Sequence, residues 1–195
     1  MSEKSDSKKQ YIIEKATAVF SAKGFKSVTM KDIVEACDIS RGGLYLYYSS
    51  TEEIFRDVCE KADNSEESEK ELSQMVESAK ASDLLLWFIK EQKKAILSKT
   101  DPLIAARYEY AFYKKQGGDS SEAKAGFDTA VKVLKSIIIR GCESGEFECE
   151  DPSHAAASMM YAIEGMKVCS ATFGMTEKKV DSELLFIVQR FMEVE

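Results

Sequence analysis

Apolar residues Ile12, Ile13, Ala16, Val19 and Phe20 recur three and four apart, the period of one helix face, and predict a helix from about Lys8 to Lys23. Gly24 followed by Phe25 supplies the glycine stop and the trailing apolar residue of a helix end. Thr29 with Asp32 three residues on forms a capping box in which Asp replaces the usual Glu, and Ile33, Val34 and Cys37 give the next, two-turn helix its apolar face. Asp38 and Ile39 break the chain before Ser40, an N-cap candidate, and a third short helix opens at Arg41. Hydroxyls at Ser49, Ser50 and Thr51, then acids at Glu52 and Glu53, start a fourth helix carried on by Ile54, Phe55, Val58, Cys59 and Ala62. Its end is blurred by the polar run 63–71.

Beyond that run, breaks at Ser82-Asp83, Asp101-Pro102, Gly117-Gly118, Gly145 to Pro152 and Gly174 separate helical periods near 83–99, 102–115, 120–144, 152–173 and 176–193. No alternating pattern competes with them. The β-branched run Ile137-Ile138-Ile139 is short and sits inside a long helical period. The expected class is all-α, with about nine helices, and the two prolines of the chain leave those runs uninterrupted.

Composition narrows what such a fold does. Residues 1–50 hold eight basic and six acidic residues, a surplus of two positive charges in a chain of net charge -7. A mildly basic end on an acidic protein can meet an anionic partner, because the local field matters more than the total. The single histidine, His154, leaves no multi-His metal site, and neither a Gly-rich phosphate loop nor a nucleophile elbow is present, which argues against an enzyme. No metal and no cofactor is expected. Five cysteines (Cys37, Cys59, Cys142, Cys149, Cys169) without a C-x-x-C indicate neither a disulfide framework nor a zinc knuckle. A polar, mixed-charge start and the absence of any apolar run of about 18–20 residues lead to the expectation of a cytoplasmic protein with no membrane partner.

Two short helices joined by a tight turn, the second opening on small residues, are what a DNA-reading helix-turn-helix requires. Gly42 and Gly43 strip bulk from the first turn of the third helix and leave Arg41 as the long side chain able to reach a guanine edge. Leu44, Tyr45 and Tyr48 share the spacing of a core face, with Leu46 and Tyr47 off it. Tyrosine hydroxyls could bond phosphates; an aromatic core stripe is the plain alternative, above all for Tyr48.

The run Phe20-Ser21-Ala22-Lys23-Gly24-Phe25, then Thr29-Met30-Lys31-Asp32-Ile33-Val34, Ile39-Ser40-Arg41-Gly42-Gly43-Leu44-Tyr45, Tyr47-Tyr48 and Glu52-Glu53-Ile54-Phe55 resembles the TetR family of bacterial transcription regulators. The resemblance implies that the third helix enters the major groove, that Arg41, Gly42, Gly43, Tyr45 and Tyr47 touch DNA, and that Thr29 meets phosphate. Met30, Lys31, Ser40, Leu46, Thr51 and Lys26 complete the DNA-facing candidates. Where the family usually carries a phosphate-holding lysine, this chain has Thr51, so DNA affinity is expected either to be lower or to be carried by Lys8, Lys9 and Lys26, whose alternative role is solubility.

The same resemblance implies a helix-turn-helix domain over 1–52 and an effector-binding and dimerisation domain over 53–195. The stretch Gly141 to Phe147, with Asp151-Pro152 behind it, is similar to the family's link into its first dimer helix. Small residues Ala155, Ala156, Ala162, Gly165 and Ala171 and the stripe Leu184, Leu185, Ile187, Val188 and Phe191 suit a homodimer seam, the alternative being internal core. Trp87, Phe88, Tyr108, Phe112, Phe127 and Met160, with Glu109 or Glu164 for a cationic group, suit a small apolar or amphipathic effector. The expected partners are double-stranded operator DNA, that effector and a second copy of the chain. The competing readings are a helical protein-interaction module or a thiol-based redox sensor.

Overall fold

The computed structural model describes residues 3–63, 79–97 and 102–191. Nine helices lie among the described residues: α1 Glu3–Lys23, α2 Met30–Cys37, α3 Arg41–Tyr45, α4 Thr51–Asp63, α5 Ala81–Ile96, α6 Ile104–Gln116, α7 Ser121–Ser144, α8 Pro152–Phe173 and α9 Glu177–Phe191. The fold is all-helical, with an amino-terminal helix-turn-helix followed by a carboxy-terminal helical domain. No helix among the described residues is long and apolar enough to cross a membrane. The polar run 64–71 and the expected helix ends at 99 and 193 lie outside the described residues.

The chain packs as two compact units, residues 1–66 with 102–118, and 67–101 with 119–195. In the first unit, Ile12, Ala16 and Phe20 of α1, Ile33 of α2, Leu44 of α3 and Ile54 and Phe55 of α4 are all fully buried in one core. That core also takes Leu103, Ala106 and Tyr110, so α6 belongs to this unit by packing although it comes late in the chain. Helix α1 starts at Glu3, before its apolar stripe, because lysine and glutamate extend an existing helix at little cost.

Its end follows the glycine rule. Gly24 takes a left-handed φ of +75° and donates its N–H to the Phe20 carbonyl at 2.9 Å. Phe25 then folds under α1 onto Phe20, Phe55 and Tyr110.

In the second unit, α5, α7, α8 and α9 close over Leu84, Phe88, Leu134, Ile138, Met159, Met160, Ile163, Val180 and Leu184. Helix α5 has no capping side chain of its own at Lys80. Glu146 supplies one from the loop after α7, its carboxylate accepting from the Ala81 and Ser82 amides at 3.0 Å each and from the Ser82 hydroxyl at 2.8 Å. These donors, the Ser82 amide foremost, hold the Glu146 carboxyl down at about 2. Asp151 caps α8 in the same way, accepting from Ser153 N and His154 N at 3.0 Å, with Pro152 in the first turn.

Candidate nucleic-acid interface

Helices α2 and α3 each open on a capping side chain that the sequence marks for it. Thr29 accepts the Asp32 amide at 3.3 Å while the Asp32 carboxylate takes the Thr29 amide at 2.8 Å and its hydroxyl at 2.7 Å, a complete capping box. Lys23 donates to the other Asp32 oxygen at 2.5 Å. Lys23 first, and then Thr29, keep this carboxyl well below the usual carboxylate range, so the box stays ionised at neutral pH. Asp38 ends α2 with a left-handed φ of +50°, and Ser40 opens α3 by accepting the Gly43 amide at 3.1 Å.

One turn of α3 then divides its residues by face. Leu44 and Tyr48 are buried, Tyr47 is half-buried against the same core, and Arg41, Gly42, Tyr45 and Leu46 are exposed. The spacing assignment of Tyr45 to the core face is therefore corrected: its ring is 44% exposed, and the Arg41 guanidinium lies over it at 5.5 Å from the centroid. Tyr48 donates its hydroxyl to Asp57 at 2.9 Å, and burial together with that bond pushes the phenol up, so it remains a protonated structural donor. A side chain at Gly42 would meet nothing within 4 Å, whereas one at Gly43 would approach the Ser40 hydroxyl at 3.2 Å.

The other candidates lie in the same unit. Lys26 and Lys31 are exposed, Lys31 standing 3.6 Å from Glu35, and Met30 and Thr51 are half-buried. Lys8 lies over the Tyr11 ring, and Lys9 turns onto the Tyr48 ring at 5.2 Å and toward Asp57 at 3.8 Å, so both stems pack against the unit. At the start of α4, Ser50 accepts the Glu53 amide at 3.2 Å while Glu53 takes the Ser49 amide at 2.6 Å, which lowers the Glu53 carboxyl.

Two supports of this head carry no local signal. Glu109 of α6 sits over Gly24 and accepts the Lys26 amide at 2.9 Å, and Glu52 receives Lys114 at 3.1 Å and the Tyr110 hydroxyl at 3.4 Å. Each bond joins residues tens of positions apart, out of reach of any periodicity.

Residues 12–58 match the family described as "Bacterial regulatory proteins, tetR family", and residues 84–181 match "Tetracyclin repressor-like, C-terminal domain". The chain belongs to the TetR family. The HTH-type transcriptional regulator YfiR of Bacillus subtilis (strain 168) is 28% identical to this TetR-family chain over 180 residues, 92% of the chain and 86% of YfiR. The biofilm operon icaADBC HTH-type negative transcriptional regulator IcaR of Staphylococcus epidermidis is 38% identical over 56 residues, 29% of the chain and 30% of IcaR. The fold matches that of a transcriptional regulator from Saccharomonospora viridis, solved in complex with choline, at a TM-score of 0.77 and 13% identity over 96% of this chain and 99% of that one. The relatives are transcriptional regulators, and the TetR-family chain is a DNA-binding regulator.

In the carboxy-terminal unit of this TetR-family chain the sequence candidates scatter. Of the effector set, Phe88 and Met160 are core, Phe127 is half-buried and stacked on Tyr161 at 4.9 Å, and Glu164 pairs with Lys167 at 2.8 Å. Trp87 is half-buried, with its indole N–H sealed from solvent and without an acceptor among the described residues. Tyr108, Glu109 and Phe112 lie on α6 in the first unit, so the structure does not gather the eight into one unit. Of the dimer set, Ala155, Leu184 and Ile187 are buried in this unit's own core, Ala162 and Val188 pack half-buried against it, and the Phe191 side chain lies outside the described residues. The first three have no surface left for a second copy. Large apolar residues exposed in this unit are Leu86 on α5, Tyr161, Val168 and Phe173 on α8 and Leu185 and Phe186 on α9. Among the thiols, Cys37 and Cys59 are buried, Cys142, Cys149 and Cys169 are half-buried, and burial pushes Cys37 and Cys149 up.

Proposed function

We propose that the chain is a repressor that binds a palindromic operator as a homodimer and is released by a small apolar or amphipathic effector. One observation carries the DNA-facing half of this reading. Gly42 is exposed, has no left-handed φ and would accommodate a Cβ freely, so nothing within the fold calls for glycine there. Glycine inside a helix costs about 0.5–1 kcal/mol relative to alanine. A bare backbone kept at that cost beside Arg41, on the exposed side of α3, suits a duplex whose groove edge comes against it.

The pairing half rests on a similar argument. Tyr161, Gly165 and Val168 follow one stripe of α8 at i, i+4 and i+7, all exposed, and a Cβ at Gly165 would again meet nothing within 4 Å. With Leu185 and Phe186 of α9, this stripe gives an apolar face on which a twofold copy can close, setting two reading helices about 34–36 Å apart. For the effector, Trp87 Nε1 and Gln92 Oε1 on α5 are buried without partners among the described residues, one donor and one acceptor for a guest molecule. A ligand releases the operator only by favouring the arrangement that does not fit DNA. The negative regulator IcaR supports repression as the sign.

The test is selection of bound duplexes from random DNA by the full chain, with sedimentation of the free protein and of the complex. A palindrome bound by a dimer, its affinity falling steeply as salt rises, is the expected result. A monomer that selects no sequence at low ionic strength overturns the reading.

A further inference from the structure

Leu46 is 83% exposed, the highest value among the exposed large hydrophobic side chains. Its backbone is nonetheless fixed. It caps α3 in helical geometry with its N–H directed to the Gly42 carbonyl at 3.2 Å, and the buried Leu44 and Tyr48 anchor the chain on either side. At about 100° per residue, Leu46 stands opposite the mean direction of Leu44 and Tyr48, and Gly42, four residues earlier, shares its face. The middle of the outward face is thus an immobilised isobutyl group beside a strip of bare backbone, with Arg41 and Tyr45 stacked along one edge. A leucine held in water by its neighbours gains nothing for the fold.

Resting on the reading of α3 as the groove-entering helix, we infer that Leu46 is a specificity-determining residue that reads the C5-methyl group of a thymine in each half-site. The methyl group is the apolar feature that the major groove offers, and neither cytosine nor a purine presents one. Arg41 is a donor, so it reads guanine acceptors. Leu46, with neither donor nor acceptor, recognises a base by excluding water from its methyl. Gly42 leaves room for that base to come up against the helix.

The experiment uses the full chain and the operator obtained by selection, with deoxyuridine replacing thymidine one position at a time, which removes the methyl and leaves base pairing intact. At one position per half-site the wild type should lose about three- to four-fold in affinity, the value of one methyl removed from water. Leu46→Ala, which removes the contact from both half-sites of the homodimer, should bind the natural operator about ten- to fifteen-fold more weakly and be indifferent to deoxyuridine at that position. Because Leu46 is exposed, the variant should melt with the wild type, which separates reading from folding. Uniform indifference of the wild type to deoxyuridine, or an unchanged deoxyuridine loss in Leu46→Ala, overturns the assignment while leaving DNA binding itself standing. Failure of the wild type to select any sequence removes the DNA reading and this inference together.

Discussion

At the scale of single residues, the informative positions are those where a side chain, or its absence, has no purpose inside the fold. Gly24 has one: its left-handed φ of +75° is a conformation that L side chains rarely adopt, and the Glu109 carboxylate 2.6 Å from where a Cβ would stand would have to move aside. Gly42 has none, and this makes it a clean probe. Gly42→Ala should leave the fold unharmed or stabilise it by up to about 1 kcal/mol in urea melts, because alanine is the better helix former. The same change should weaken operator binding at least ten-fold in a titration, since the methyl projects into the space a groove would occupy. A variant that is both more stable and fully active would mean that no partner approaches this turn. The Ser40 cap of α3 was legible from the sequence because its partner, the Gly43 amide, lies three positions away. The place of Glu109 was not: offered with Glu164 for a cationic group of an effector, it accepts the Lys26 amide, a partner 83 positions away.

At the scale of elements, local capping explains α2, α3 and α8, whereas α5 depends on a distant acid. Glu146 sits at about 2 in the folded chain against a usual 4.5, so its folded value is depressed. The sign follows: its contribution to stability is complete above about pH 4.5 and is lost as pH falls toward 2. The gap in melting temperature between wild type and Glu146→Gln should therefore be present at pH 7 and close between pH 4.5 and 2 in thermal scans. A gap that persists unchanged at pH 2 would show that the carboxylate charge is not what caps α5. The turn after α7 has a second dependence. The Phe147 ring packs on Gly141, and a Cβ there would stand 1.9 Å from its Cδ2. Gly141→Ala should cost about 1–3 kcal/mol or more by forcing the ring off the helix, measurable by chemical denaturation. A link from Gly141 to Phe147 was visible in the sequence, but the reason for its glycine is a ring that folds back on the helix.

At the scale of the whole molecule, the expected pairing surface is the outward face of α8 and α9. Phe186→Glu, at a 62% exposed position, should leave helicity and melting behaviour intact while shifting the sedimentation profile from dimer to monomer and abolishing tight palindrome binding. A dimer that survives this change would move the interface elsewhere. The choice of that face could not be made from sequence, because α9 carries apolar residues around most of its circumference. Leu184 and Ile187 turn inward and Leu185 and Phe186 outward, and only docking against the rest of the unit separates them. By itself the sequence determined the all-helical class, most helix ends, the capped turn and the bare-backbone start of α3, since each is set by hydrogen bonds and spacings within a few residues. Tertiary structure alone decided that α6 packs with the amino-terminal helices, that Glu109, Glu52 and Glu146 hold remote segments, and which apolar stripe stays exposed. Those outcomes depend on contacts between segments far apart in the chain, and no local pattern encodes which of two similar faces will find the core.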